Sequence, residues 1–166
     1  MSPEAVEREV PFEVASDGKV DSIDFAIYLN QKAKNLRIPD INVTKIQKCL
    51  YICYGMYLAA YNAPLLNEKP VAGKNGPLFP RVLIKQKEYE GGSLDGVRPT
   101  VTMESLEAYS DIAQSVLGHF GRWSIAGLVA WTSERGNAWH KKFRTNKPLA
   151  IMDDNDIRSD FMRFVK

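Results

Sequence analysis

Apolar side chains along the chain recur mostly at the three-and-four spacing of helices with one buried face. Residues 23–36 carry Ile23, Ala26, Ile27 and Ala33 on one side, and Asp21 or Ser22 stands where a cap is needed. Residues 45–61 place Ile46, Cys49, Leu50, Cys53, Tyr57, Ala60 and Tyr61 on one face. Thr44 and Gln47 have the spacing of a capping box at its start. Further apolar residues around this helix predict burial on more than one side. Pro80 suits the first turn of a helix over residues 80–89. Thr102 precedes a helix over 103–119 with Leu106, Tyr109, Ile112, Ala113, Val116 and Leu117 inward, broken by Gly118 and Gly121. Ser124 opens IAGLVAWT, another helix spans 138–143, and Asp153 opens the last, with Ile157, Phe161 and Phe164 or Val165 inward.

Strand signals are few. Asn75, Gly76 and Pro77 form a turn signal, with residues 71–74 and Leu78 as short extended flanks. In residues 1–20 only Val10, Phe12 and Val14 alternate, so this stretch reads as an extended arm. The expected fold is mainly α, a single compact domain over residues 21–166 with six or seven helices and one short strand pair near 70–79.

From Cys49 to Leu66 there is no charged side chain among 18 residues. A membrane span needs about 20 apolar residues. Here Ala63, preceding Pro64, is pushed out of the helical region, and the stretch is interrupted by Gly55 and several tyrosines. Cys49 and Cys53 share a helix face, but zinc takes about four ligands and the histidines, His119 and His140, bring no matching cysteine spacing. The two thiols are expected as small buried apolar groups.

Composition suits a single soluble domain: 166 residues, 45% hydrophobic, 25% charged, net charge +2. Two cysteines and an acidic start without an apolar run give a reducing cytoplasm as the expected location, with no membrane partner. Charge is uneven. Residues 1–20 hold five acids and two bases, whereas residues 135–147 hold five bases and no acid. No glycine-rich phosphate cradle, nucleophile elbow or HExxH motif occurs, so neither an enzyme nor a cofactor is expected. His119 closes a helix, where a cation is favoured.

Residues outside the expected core supply the candidate partner surface: the acidic arm, then Lys74, Asn75, Gly76 and Pro77, then Arg135, Trp139, His140, Lys141, Lys142 and Arg144. Bases interleaved with Trp139 and Phe143 are also the pattern that tracks phosphates and stacks nucleobases. A solvated helix face with Trp139 set in the core is the plainer account of the same run. No helix-turn-helix or zinc finger accompanies it.

Four segments, in order, carry a resemblance: TKIQKCLYICYGMYLAAYNAPLL, GKNGPLFPRV, WSIAGLVAWTS with AWHKKF, and IMDDNDIRSDF. Together they resemble the Panacea domain family, also called SocA-like, of bacterial and phage antitoxin-type proteins, over residues 21–164. The chain carries Gly73 where that family usually has an aromatic before its turn, and Ser133 where it often has histidine. The resemblance implies an antitoxin of a toxin–antitoxin system that neutralises a cognate toxin by direct contact. Alternatives are an adaptor delivering the toxin to a protease, and a nucleic-acid-binding regulator using residues 135–147.

Overall fold

The structure, a computed structural model, describes residues 14–144, 146–147 and 149–165. Helix α1 (Ser22–Asn35) starts where the Asp21 carboxylate accepts from the Ile23 and Asp24 amides. The charge-free stretch lies in α2 (Val43–Tyr61), the axis of the domain, as far as Tyr61, with Cys49, Leu50, Tyr51, Ile52, Cys53 and Tyr54 all buried. It ends as expected: Asn62 takes φ 52, the left-handed cap, two residues before Pro64. Among the described residues no helix is long and apolar enough to cross a membrane.

The start of α2 differs from the capping-box reading. Asn42 is the cap, its side chain accepting from the Lys45 amide at 2.9 Å, and Gln47 is turned into the core. The far end differs as well. Leu58 and Ala59 take the inward side, leaving Ala60 and Tyr61 exposed, Tyr61 by 67%. Tyr61 then packs on Tyr57 with ring centroids 4.6 Å apart.

After α2, β1 (Val71–Gly73) and β2 (Gly76–Leu78) form the expected antiparallel hairpin, with Lys74 and Asn75 at its tip. A third strand, β3 (Ala150–Ile151), pairs with the other edge of β1, Val71 opposite Ile151. Pro80 opens α3 (Pro80–Lys87) as predicted. The helix expected over 103–119 is divided into a 3-10 segment, Met103–Tyr109, and α4 (Ser110–His119). Division begins at Thr102, where the Ser105 amide reaches only three residues back, to the Thr102 carbonyl at 3.1 Å.

Then follow α5 (Ile125–Thr132), capped by Ser124, the short α6 (Ala138–Lys142), capped by Asn137, and α7 (Asp154–Phe161), capped by Asp153. Ile157 and Phe161 are buried as predicted and, of the two alternatives at the end, Val165 packs against the core while Phe164 is exposed. Helix α7 lies directly on α2 at Gly55, where a Cβ would come within 2.2 Å of the Phe161 ring. Glycine costs a helix about 1 kcal/mol against alanine, and here it permits that close approach.

Of the extended arm, residues 1–13, with Val10 and Phe12, lie outside the described residues. Residues 14–20 run against residues 65–69 through single bridges, Ala15 to Glu68 and Val20 to Leu66, with bends at Asp17 and Lys19 between them. The Ser16 amide donates to the Asn67 carbonyl at 3.0 Å and the Lys69 amide to the Val14 carbonyl at 2.7 Å. Beneath this pairing Glu68 is fully buried. Its carboxylate accepts from the Ser22 hydroxyl at 2.7 Å and from the Arg81 amide at 2.6 Å. The Arg81 guanidinium reaches Asp21, Ser22 and Asn67 at 2.9 to 3.0 Å. Burial pushes the Glu68 carboxyl up to about 7 against these hydrogen bonds.

Candidate partner-binding face

The four residues predicted at the hairpin divide into two pairs. Lys74 and Asn75 are exposed, but Gly76 and Pro77 are buried and are not available to a partner. Gly76 takes φ 109, and a Cβ there would approach Lys48 Nζ and Thr132 Oγ1 to 3.2 Å. The Pro77 carbonyl accepts from Lys48 Nζ at 2.9 Å. The turn is therefore pinned from below by α2 and α5, and only its tip faces outward.

The basic segment is brought to the same place. Trp139 Nε1 donates to the Gly73 carbonyl at 2.7 Å, so α6 is fixed beside β1. Trp139 stacks on Phe143 at 4.8 Å with planes 16° apart. His140 is exposed, and its Nδ1 accepts from the Gly136 amide at 3.0 Å. Lys141 lies 3.5 Å from Asp156 of α7. The Arg144 guanidinium folds back on the Phe143 carbonyl at 2.7 Å. Lys142 is half-buried, and Arg135 is exposed. As a group, these bases are more engaged with their own surroundings than a free basic helix face would be.

Two clefts flank the junction. One of about 320 Å³ is bordered by Arg135, Glu134, Asp160 and Arg163 above Tyr51 and Trp131. Its charges are balanced. Burial pushes Asp160 up, although the Ala138 amide donates to it at 2.8 Å. The other, about 300 Å³, lies between the first turns of α2, the hairpin tip and α3. Val43, Leu78 and Leu83 supply apolar wall, and its charged residues are Lys48, Lys74 and Lys87.

Lys48 is the residue that sequence reasoning missed. It is only 4% exposed, and burial alone pushes its amine down to about 8. Among the described residues no carboxylate lies within 4.0 Å of Lys48, Lys74 or Lys87. The signal was the helix itself: a segment buried on more than one side has no obvious solvent face for a lysine in its second turn.

Other reactive groups are placed unfavourably for chemistry. Cys49 and Cys53 are free and buried. Burial pushes the Cys49 thiol up to about 12, and Cys53 well above its ordinary value, which removes the thiolate a nucleophile needs. Among the described residues no group of three His, Cys, Asp or Glu side chains is gathered to hold a metal.

The chain matches no protein-family model, no curated protein and no solved structure.

Proposed function

We propose that the protein is an antitoxin-type binding module that neutralises a partner toxin by direct contact, using the face where the hairpin tip meets α6. The observation that supports this reading most is the 2.7 Å bond from Trp139 Nε1 to the Gly73 carbonyl. It ties together two segments 66 residues apart, each singled out as outside the core. A surface held in place loses little conformational freedom on association. Lys74 and Asn75 stand exposed at the hairpin tip, and Arg135 is exposed in the turn before α6. The ordered motifs resembling the Panacea family point to the same class of function.

The nucleic-acid reading has less support. Base stacking needs a free aromatic face, whereas Trp139 and Phe143 stack on one another and the indole N–H is engaged. Lys141 and Arg144 already have partners.

Co-expression with the protein encoded beside this one is the test. Growth rescue and a shared peak on a sizing column are expected, with Lys74→Glu and Arg135→Glu together weakening the complex without changing the melting temperature. Absence of both rescue and complex refutes the reading. Loss of the toxin only in cells with an active protease marks the adaptor form. A low-salt gel shift with promoter DNA that disappears on replacing Lys141, Lys142 and Arg144 by Ala favours nucleic acid instead.

A further inference from the structure

A buried ammonium without a carboxylate is costly, because desolvation of the charge is not returned by a neighbouring opposite charge. Lys48 sits in that condition: it is almost wholly buried, its one bond goes to the Pro77 carbonyl, and burial is the sole cause of its lowered pKa. An ammonium has three donors, and only one is used here within the described residues. The cleft it lines holds two further lysines on its exposed part, Lys74 and Lys87, and no acid. The balanced cleft around Arg135 and the one around Lys34, whose amine pairs with Asp95, contrast with this.

Three features indicate the chemistry this cleft suits. The wall of Val43, Leu78 and Leu83 suits the methylenes of a side chain. Val43 and Thr44 belong to the first turn of the 19-residue α2, whose positive end favours an anion. A single buried ammonium balances a single negative charge, which fits a carboxylate better than a phosphate dianion.

We propose that this cleft is a carboxylate-binding site: an acidic segment of the partner protein inserts one carboxylate against Lys48, while Lys74 and Lys87 meet further acids of the same segment. This inference rests on the binding-module reading above and gives the partner its chemistry, an exposed glutamate- or aspartate-rich stretch. Charge-assisted hydrogen bonding to the inserted carboxylate would satisfy the free donors of Lys48.

The experiment uses the full chain and a rhodamine-labelled hexaglutamate peptide, read by fluorescence anisotropy, with inorganic phosphate and a short oligothymidylate as competitors at matched ionic strength. Saturable binding is expected, weakened at least about tenfold by Lys48→Met, since losing a charged hydrogen bond is of that order. Lys74→Ser with Lys87→Ser should weaken it several-fold. Circular dichroism checks that Lys48→Met is folded; if it is not, the double variant decides alone. No binding, unchanged affinity in the deciding variant, or stronger competition by oligothymidylate or phosphate than by unlabelled hexaglutamate overturns the site. Failure here is separable from failure of the antitoxin reading. A complex with the neighbouring gene product whose affinity is unchanged by Lys74→Ser with Lys87→Ser refutes the site alone. Lys48-dependent peptide binding by a chain that forms no such complex refutes only the antitoxin reading.

Discussion

Gln47 holds the backbone of Phe79 at both ends: its Oε1 accepts from the Phe79 amide at 2.8 Å, and its Nε2 donates to the Phe79 carbonyl at 3.3 Å. The same Nε2 also donates to Gln86 at 3.1 Å. Phe79 is the residue before α3 and lends that helix no side-chain cap, so a side chain of α2 sets where α3 begins. Gln47→Ala leaves the Phe79 amide without its acceptor and the Gln86 side-chain oxygen without its donor in the core, while the Phe79 carbonyl keeps the Leu83 amide at 2.9 Å. A loss of about 2 to 6 kcal/mol is expected, at 1 to 3 for each of the two buried groups, measured by urea unfolding. Thr44→Ala should cost less than about 0.5 kcal/mol, because Asn42 does the capping. Equal losses in the two variants would restore the capping-box reading.

The two ends of α2 should respond differently to truncation. Leu50 is fully buried, so Leu50→Ala should destabilise by about 2 to 5 kcal/mol through lost burial and a residual cavity. Tyr61→Ala, at the exposed end, should change stability by about 0.5 kcal/mol or less. Unchanged melting of Leu50→Ala would mean that this turn does not pack the core.

Glu68 makes stability depend on pH in a direction opposite to most carboxylates. Its carboxyl is raised from 4.5 to about 7, so between those values the folded chain holds a proton that the unfolded chain has released. Stability from this group is present near pH 4.5 and is lost as pH rises through 7, an amount on the order of 3 kcal/mol. Glu68→Gln should flatten that part of the profile, read by unfolding at pH 5 and pH 7.5. The same slope in both proteins would refute it.

For Lys48 the window lies higher. Its amine is lowered from 10.5 to about 8, so between these values the unfolded chain carries the extra proton. Stability should therefore increase as pH rises from 8 towards 10.5, and Lys48→Met should remove that increase. At pH 7 the methionine variant is expected within about 2 kcal/mol of the original. Relief of the buried charge offsets the Pro77 carbonyl left without its donor.

Trp139→Phe keeps an aromatic ring beside Phe143 but deletes the bond to Gly73. A stability loss of about 1 kcal/mol is expected, together with a weaker partner complex, since the hairpin tip and α6 are then no longer tied. A complex of unchanged affinity would separate recognition from this junction.

Much of the fold was legible because it rests on contacts a few residues apart. Asp21, Ser124 and Asp153 cap helices where their side chains meet the next amides, Pro80 sets the dihedral of a first turn, and Ala63 with Pro64 stops α2. What was not legible depends on partners far along the chain. Strand β3 has only two residues and exists because β1 offers an edge. Gly76 and Pro77 look like an exposed turn in sequence, and burial follows from Lys48 and Thr132 closing beneath them.

The spacing of apolar and polar residues by itself determined that α2 would be the largely apolar axis of a helical domain, since a helix with apolar side chains around most of its surface is stable only when buried on more than one side. It could not say which neighbour each polar residue on that axis would meet. Gln47 and Lys48 are adjacent in sequence and indistinguishable by periodicity. One holds Phe79 in place and the other faces Pro77 and a basic cleft. That difference was decided by where the hairpin and α3 fold back onto the axis, because a hydrogen bond depends on distance and direction in space and not on spacing in sequence.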